Sequence, residues 1–167
     1  MSSPIVVLVG PPGAGKSTVG PLVAKRLGVS FRDTDDDIAA AEGKDISTIF
    51  YDEGEPHFRA LETAAVATAV AEHDGVLALG GGSVLSAGTR AELVGHRVIF
   101  LDVGMAAAAR RVGLARDRPV LALNPRAMLH TLLADRRPLY EEVATYTIET
   151  DALSADEVAD AVLSHVT

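Results

Sequence analysis

The residues with the plainest chemical purpose open the chain: Gly10-Pro11-Pro12-Gly13-Ala14-Gly15-Lys16-Ser17-Thr18. Their Gly-x-x-x-x-Gly-Lys-Ser spacing is that of a phosphate-binding P-loop. Glycines let the backbone curl until successive N–H groups approach phosphate oxygens, and a following helix adds partial positive charge at the same place. Residues Gly13, Ala14, Gly15, Lys16, Ser17 and Thr18 are therefore expected to bind a nucleotide's phosphates. Lys16 reaches the β- and γ-phosphates in such a loop, and the Ser17 hydroxyl takes one position on Mg²⁺.

Other groups could complete a reaction. Asp33-Thr34-Asp35-Asp36-Asp37 puts four carboxylates in five residues. Asp36 and Asp37 read as a solvated turn and helix start. Asp33 and Asp35 are expected to close the second strand, at the edge where parallel α/β sheets bind ligands. There a carboxylate holds Mg²⁺ through water or accepts a proton from an attacking hydroxyl. Arg59 and Glu62 are i,i+3 neighbours on a helix. They form either an exposed ion pair worth about 0–1 kcal/mol, or a guanidinium held ready for a carboxylate ligand. Gly80-Gly81-Gly82 follows a strand directly, as a plain loop or as a place where a ligand meets backbone N–H groups with no Cβ in the way.

These residues need elements to position them. Apolar runs predict strands over 5–9, 75–79, 97–103 and 144–150, with a shorter one leading into Asp33. Between them, helical periodicity covers 15–27, with Gly28 as its stop and Pro21 an awkward interior residue. Further helices cover 38–42, the region after Ile46, a long stretch beginning at Pro56, and the region near 90–95. The segment 113–125, with Arg116 and Arg118 between glycine and proline boundaries, has the length of a lid. Ser154 and Glu157 form a capping box for a C-terminal helix. Strands alternating with helices predict a three-layer α/β sandwich with a mostly parallel sheet, in one domain over 1–167.

Composition excludes several functions. A net charge of −8 argues against a nucleic-acid or anionic-membrane surface, so any anion site must be a local convergence of arginines. The absence of cysteine removes disulfides, thiolate metal sites and a cysteine nucleophile. The five histidines share no metal-ligand spacing. The start of the chain lacks a signal-peptide pattern and no apolar run spans a bilayer, so a cytoplasmic protein is expected.

Taken together the motifs resemble the shikimate kinases, small P-loop kinases of the adenylate-kinase-like group. In order they are the P-loop at 10–17, Asp-Thr-Asp at 33–35, Gly-Glu-x-x-Phe-Arg-x-x-Glu at 54–62, the glycines at 80–82, Arg118-Pro119, and Arg-x-Pro-x-Tyr at 136–140. The resemblance implies a five-stranded parallel sheet of order 2-3-1-4-5, a lid near 113–125 and a substrate-binding subdomain near 33–62. It implies ATP-dependent phosphorylation of the 3-hydroxyl of shikimate, by a monomer that uses Mg²⁺. Lys16 and Arg118 would meet the transferring phosphate, with Ser17 and Asp33 around the metal. Asp35 would bind the acceptor hydroxyls and serve as base. Arg59 and Arg136 would grip the shikimate carboxylate, Gly80, Gly81 and Gly82 would offer N–H groups, and Arg111 would lie by adenine. Some relatives carry an arginine after the last strand, where this chain has Asp151-Ala152-Leu153; adenine contacts there would rest on backbone and apolar atoms. The competing readings are another small-metabolite kinase, such as a gluconate kinase, and a non-catalytic nucleotide-binding module.

Overall fold

The computed structural model describes residues 3–104, 107 and 125–166. The β-branched run of strand β1 (Val6–Val9) is buried along its whole length. Successive side chains alternate across the sheet, so Val6 and Leu8 join one core and Val7 and Val9 the other. Five strands pair in parallel in the order β2-β3-β1-β4-β5: β2 (Phe31–Asp33), β3 (Val76–Ala78), β4 (Val98–Asp102) and β5 (Tyr146–Glu149) surround β1. This is the three-layer arrangement and the order expected.

Helix α1 (Lys16–Leu27) packs on the first face together with the C-terminal helix α7 (Ala155–Val166). Gly28 stops α1 in the left-handed conformation, with Pro21 inside the helix. Ser154 caps α7 as expected: its Oγ accepts from the Glu157 N–H (3.1 Å), and Glu157 accepts from the Ser154 N–H (2.9 Å). The other face is covered by the second half of α4 (Glu55–Glu72) and by α6 (Pro125–Val143), through Val66, Val70, Leu139 and Tyr140. A short 3₁₀ turn (Ser83–Leu85) and α5 (Ala87–Glu92) link β3 to β4.

Between β2 and α4 lie α2 (Thr34–Glu42) and α3 (Ile46–Glu53). With the start of α4 they enclose a small core of their own: Ile38, Ile49 and Phe58. Contrary to expectation, Asp33 and Asp35 do not both close the second strand. Only Asp33 ends the second strand; Asp35 sits in the first turn of α2. The Asp33 side chain caps that helix by accepting from the Asp35 N–H (2.9 Å). A carboxylate cap and the three acids in the first turn suit the positive helix terminus, so the helix starts earlier than its apolar residues announce. Among the described residues no helix is long and apolar enough to cross a membrane.

Candidate active site

The P-loop joins β1 to α1 at the C-terminal edge of the sheet, where parallel α/β folds place ligands. Gly13 and Gly15 have φ of 83° and 101°, values that side chains at Cβ disfavour. Gly15 heads α1 with no side-chain cap, and the N–H groups of a helix's first turn point out of its start, where the helix dipole favours an anion. Ala14 and Thr18 spend their N–H groups inside the loop, on the carbonyls of Pro11 and Gly15 (3.1 Å each). The Lys16 ammonium donates to the carbonyls of Gly10 (2.5 Å) and Pro11 (3.1 Å), so it lies along the loop that would hold the phosphates.

A cavity of about 420 Å³ opens over this loop, bounded by Lys16, Ser17, Asp33, Asp35 and Gly81. The two carboxylates therefore face the P-loop although they follow a different strand. Burial, and then the neighbouring Asp35, push the Asp33 carboxyl up to about 6; the Asp35 N–H and Lys16 pull the other way. The Ser17 hydroxyl and the Asp33 carboxylate are hard oxygen donors, the type Mg²⁺ prefers. A cation here would also relieve the repulsion between Asp33 and Asp35. The donor set fits Mg²⁺.

The glycine turn after β3 is the junction of the site. A Cβ on Gly80 would fall 2.6 Å from Asp35 Oδ1 and 2.7 Å from Glu62 Oε2; one on Gly81 would meet Pro12 at 3.0 Å; one on Gly82 would meet Arg59 at 2.2 Å. Three successive glycines thus let the carboxylates, the P-loop and an arginine pack against one stretch of backbone. The Gly80 N–H itself donates to Thr34 Oγ1 (3.2 Å), a fully buried hydroxyl. In this structure Gly80 contributes its missing side chain, not a donor.

Arg59 and Glu62 do not form the exposed pair that one reading allowed. The Glu62 side chain is 4% exposed and accepts from Arg59 Nη1 at 2.8 Å, while Arg59 Nε donates to Glu55 (3.2 Å). The guanidinium also lies over Phe58 and Phe50, 5.3 and 5.7 Å from the ring centroids. Two carboxylates and two rings thus surround it and limit the directions open to it. Arg136, on α6, is buried beside Tyr140, one turn further on. The Tyr140 hydroxyl donates to the Gly81 carbonyl (2.5 Å) and feels Arg136, Glu62 and Arg59 together. The fold has brought both arginines to the glycine turn.

Thr34 and Tyr140 stand inside the motifs at 33–35 and 136–140, but nothing in their residue types or spacing points to the contacts they make with the glycine turn. Arg111, Arg116, Arg118 and the segment 113–124 lie outside the described residues. On the other side of the P-loop a smaller cavity of about 170 Å³ runs between Gly15, Thr18, Thr150 and Leu153. Asp151 is committed elsewhere: its carboxylate accepts from the Gly104 N–H (2.9 and 3.1 Å). Folding also gathers Glu42, Glu53 and His57, all exposed, with ligand atoms within 4.8 Å of one another. The Lys44 ammonium, 3.5 Å from Glu53, already supplies countercharge there.

The family model for shikimate kinase matches residues 12–167. A shikimate kinase of Streptomyces avermitilis is 60% identical over 163 residues, covering 98% of this chain and 95% of that protein. The solved structure of a shikimate kinase from Acinetobacter baumannii in complex with shikimate superposes with a TM-score of 0.93, at 38% identity over 99% of this chain and 93% of that one. A gluconokinase from Sinorhizobium meliloti covers 99% of this chain and 91% of its own at a TM-score of 0.59 and 21% identity. That likeness is one of fold alone.

Proposed function

Because the chain belongs to the shikimate kinase family, we propose that its site transfers the γ-phosphate of ATP to the 3-hydroxyl of shikimate with the groups gathered around the glycine turn. One observation carries the assignment of roles. The P-loop, Asp35 and the Glu62-held Arg59 all pack against Gly80, Gly81 and Gly82, so donor and acceptor sites share a wall.

ATP occupies the P-loop side. The N–H groups at the start of α1 and the Lys16 ammonium bind its phosphates, Lys16 exchanging two backbone carbonyls for phosphate oxygens. Ser17 and Asp33 hold Mg²⁺, which when bound neutralises charge on the phosphates. Adenine lies in the smaller cavity, against Leu153 and backbone, with Arg111 beside it. Shikimate takes the other side. Arg59 and Arg136 bind its carboxylate by charge-assisted hydrogen bonds, and N–H groups of the glycine turn face the same ligand. Asp35 orients the acceptor hydroxyl and takes its proton as the new O–P bond forms and the bond to ADP breaks. Arg118, from the lid at 113–125, meets the charge that develops on the transferred group. The region 33–62 works as the acceptor-binding subdomain.

Gluconate also carries a carboxylate, but the likeness to a gluconokinase is one of fold alone at 21% identity, whereas the family model matched over residues 12–167 is shikimate kinase. A compact acid suits the half-buried Arg59 guanidinium, fixed by Glu62 and the aromatic faces of Phe50 and Phe58. The test is coupled ADP release by purified protein with Mg-ATP and, separately, shikimate, gluconate or no acceptor. Release that rises only with shikimate supports the reading; equal rates with and without shikimate sink it.

A further inference from the structure

Tyr140 is among the largest fully buried side chains of the protein, 1% exposed. Its ring stacks on Phe100 of β4 with centroids 5.0 Å apart. Apolar packing alone would be served by phenylalanine, and a buried hydroxyl must find partners. It donates to the Gly81 carbonyl at 2.5 Å, across 59 residues of sequence, and the buried Arg136 guanidinium acts electrostatically on the same oxygen. Arg136 precedes Tyr140 by one helical turn, so on α6 the two side chains lie one above the other.

The geometry matters because of what each partner does. No peptide bond among the described residues is cis. In a trans peptide the C=O and the N–H of the next residue point in opposite directions. Holding the Gly81 carbonyl toward Tyr140 therefore turns the Gly82 N–H the other way, and the Arg59 guanidinium packs against that same Gly82. A peptide flanked by glycines has little else to fix its rotation, since no side chain resists it. The phenol oxygen keeps lone pairs that can accept, and the Arg136 guanidinium lies one helical turn before it on α6.

We infer that Tyr140 is a positioning residue for the acid-binding surface: one phenol sets both the tilt of the Gly81–Gly82 peptide and the direction of Arg136, so that donors from β3 and α6 converge on one anionic ligand. The inference deepens the proposed function and rests on its placing the acid at Arg59, Arg136 and the glycine turn. Burial pushes the hydroxyl up to about 12, with Arg136 opposing the rise; the group stays a neutral donor throughout the working range. Tyr140 touches neither reacting atom nor nucleotide in this arrangement, so its effect must appear in acceptor binding.

The test is Tyr140→Phe, which keeps the ring, its volume and the Phe100 stack. Shikimate and ATP are titrated calorimetrically, and KM is measured for each. Loss of the hydroxyl, with its bond to Gly81 and its influence on Arg136, is expected to raise Kd and KM for shikimate on the order of tenfold, with ATP affinity unchanged and a full complement of binding sites. Unchanged shikimate affinity overturns the inference. So does a fall in the number of sites or in melting temperature with Kd intact, which marks a structural role only. Arg136→Ala separates the two levels: if it binds shikimate like wild type, the acid-site reading itself fails and the inference falls with it. If Arg136→Ala loses affinity while Tyr140→Phe does not, only the role of Tyr140 is refuted.

Discussion

Arg59 donates to a carboxylate, that of Glu62, which is almost wholly removed from water, and the 2.8 Å bond sets the direction in which the guanidinium faces the glycine turn. Each charge-assisted hydrogen bond to a ligand carboxylate is worth about 1.5–3 kcal/mol. Arg59→Ala should weaken shikimate binding roughly tenfold to a hundredfold and leave ATP affinity nearly constant. Arg59→Lys should recover only part, because an ammonium cannot present two parallel donors. Glu62→Gln should act in the same direction by loosening the guanidinium. Calorimetric titration of both ligands decides; equal losses for the two would mean a folding defect.

Gly82 offers a cleaner test of the junction. Its φ of −97° and ψ of 4° are open to alanine, so Gly82→Ala strains no backbone. The new Cβ would arrive 2.2 Å from Arg59, whose flexible end must move aside. The variant should fold and bind ATP like wild type, with KM for shikimate raised on the order of tenfold or more, the scale on which a misplacement of about 1 Å is felt. A normal KM would show that Arg59 is not held against Gly82 in the working enzyme.

Asp33 makes stability depend on pH. Its carboxyl is raised from 3.8 to about 6 by burial and then by Asp35, so the folded protein binds this proton more tightly than the unfolded chain. Stability should therefore fall as pH rises from about 4 to 6, by at most about 3 kcal/mol for a shift of this size. Asp33→Asn retains an oxygen for the Asp35 N–H and removes the charge. Without ligands it should melt higher than wild type at pH 7.5, the gap closing near pH 4, while Mg-ATP turnover drops. Thermal melts across that range, with steady-state assays at neutral pH, check both halves. A variant less stable than wild type at pH 7.5 contradicts the argument.

Arg118 is proposed to act chiefly in the transition state. Arg118→Ala should bind shikimate nearly as wild type yet turn over at least about a hundredfold more slowly, the loss typical of removing one transition-state donor, and up to about 10³–10⁵-fold if it acts as a full arginine finger. A kcat near that of wild type would remove the role and make Arg116 the next candidate.

What could be read from the chain alone is what neighbours in sequence decide. The β1 run, the glycine-lysine-serine loop, the Gly28 stop and the Ser154–Glu157 box depend on residues within a few positions, and the structure contains each. The early start of α2 escaped because its first turn is acidic, not apolar. What sequence could not decide is which distant groups share a wall. Once β3 pairs with both β1 and β2, the parallel arrangement puts the turn after β3 between the turns after its two neighbours. That places Gly81 against Pro12, Gly80 against Asp35, and the Gly80 N–H on Thr34, 46 residues away. Burial of Glu62 beneath this turn changed the Arg59 pair from a solvated contact to an orienting one. The Tyr140–Gly81 bond likewise exists because α6 packs on the face that carries Phe100. Local order follows from the chemistry of adjacent residues; the convergence of arginines in an acidic protein follows only from strand order and burial, which no short stretch encodes.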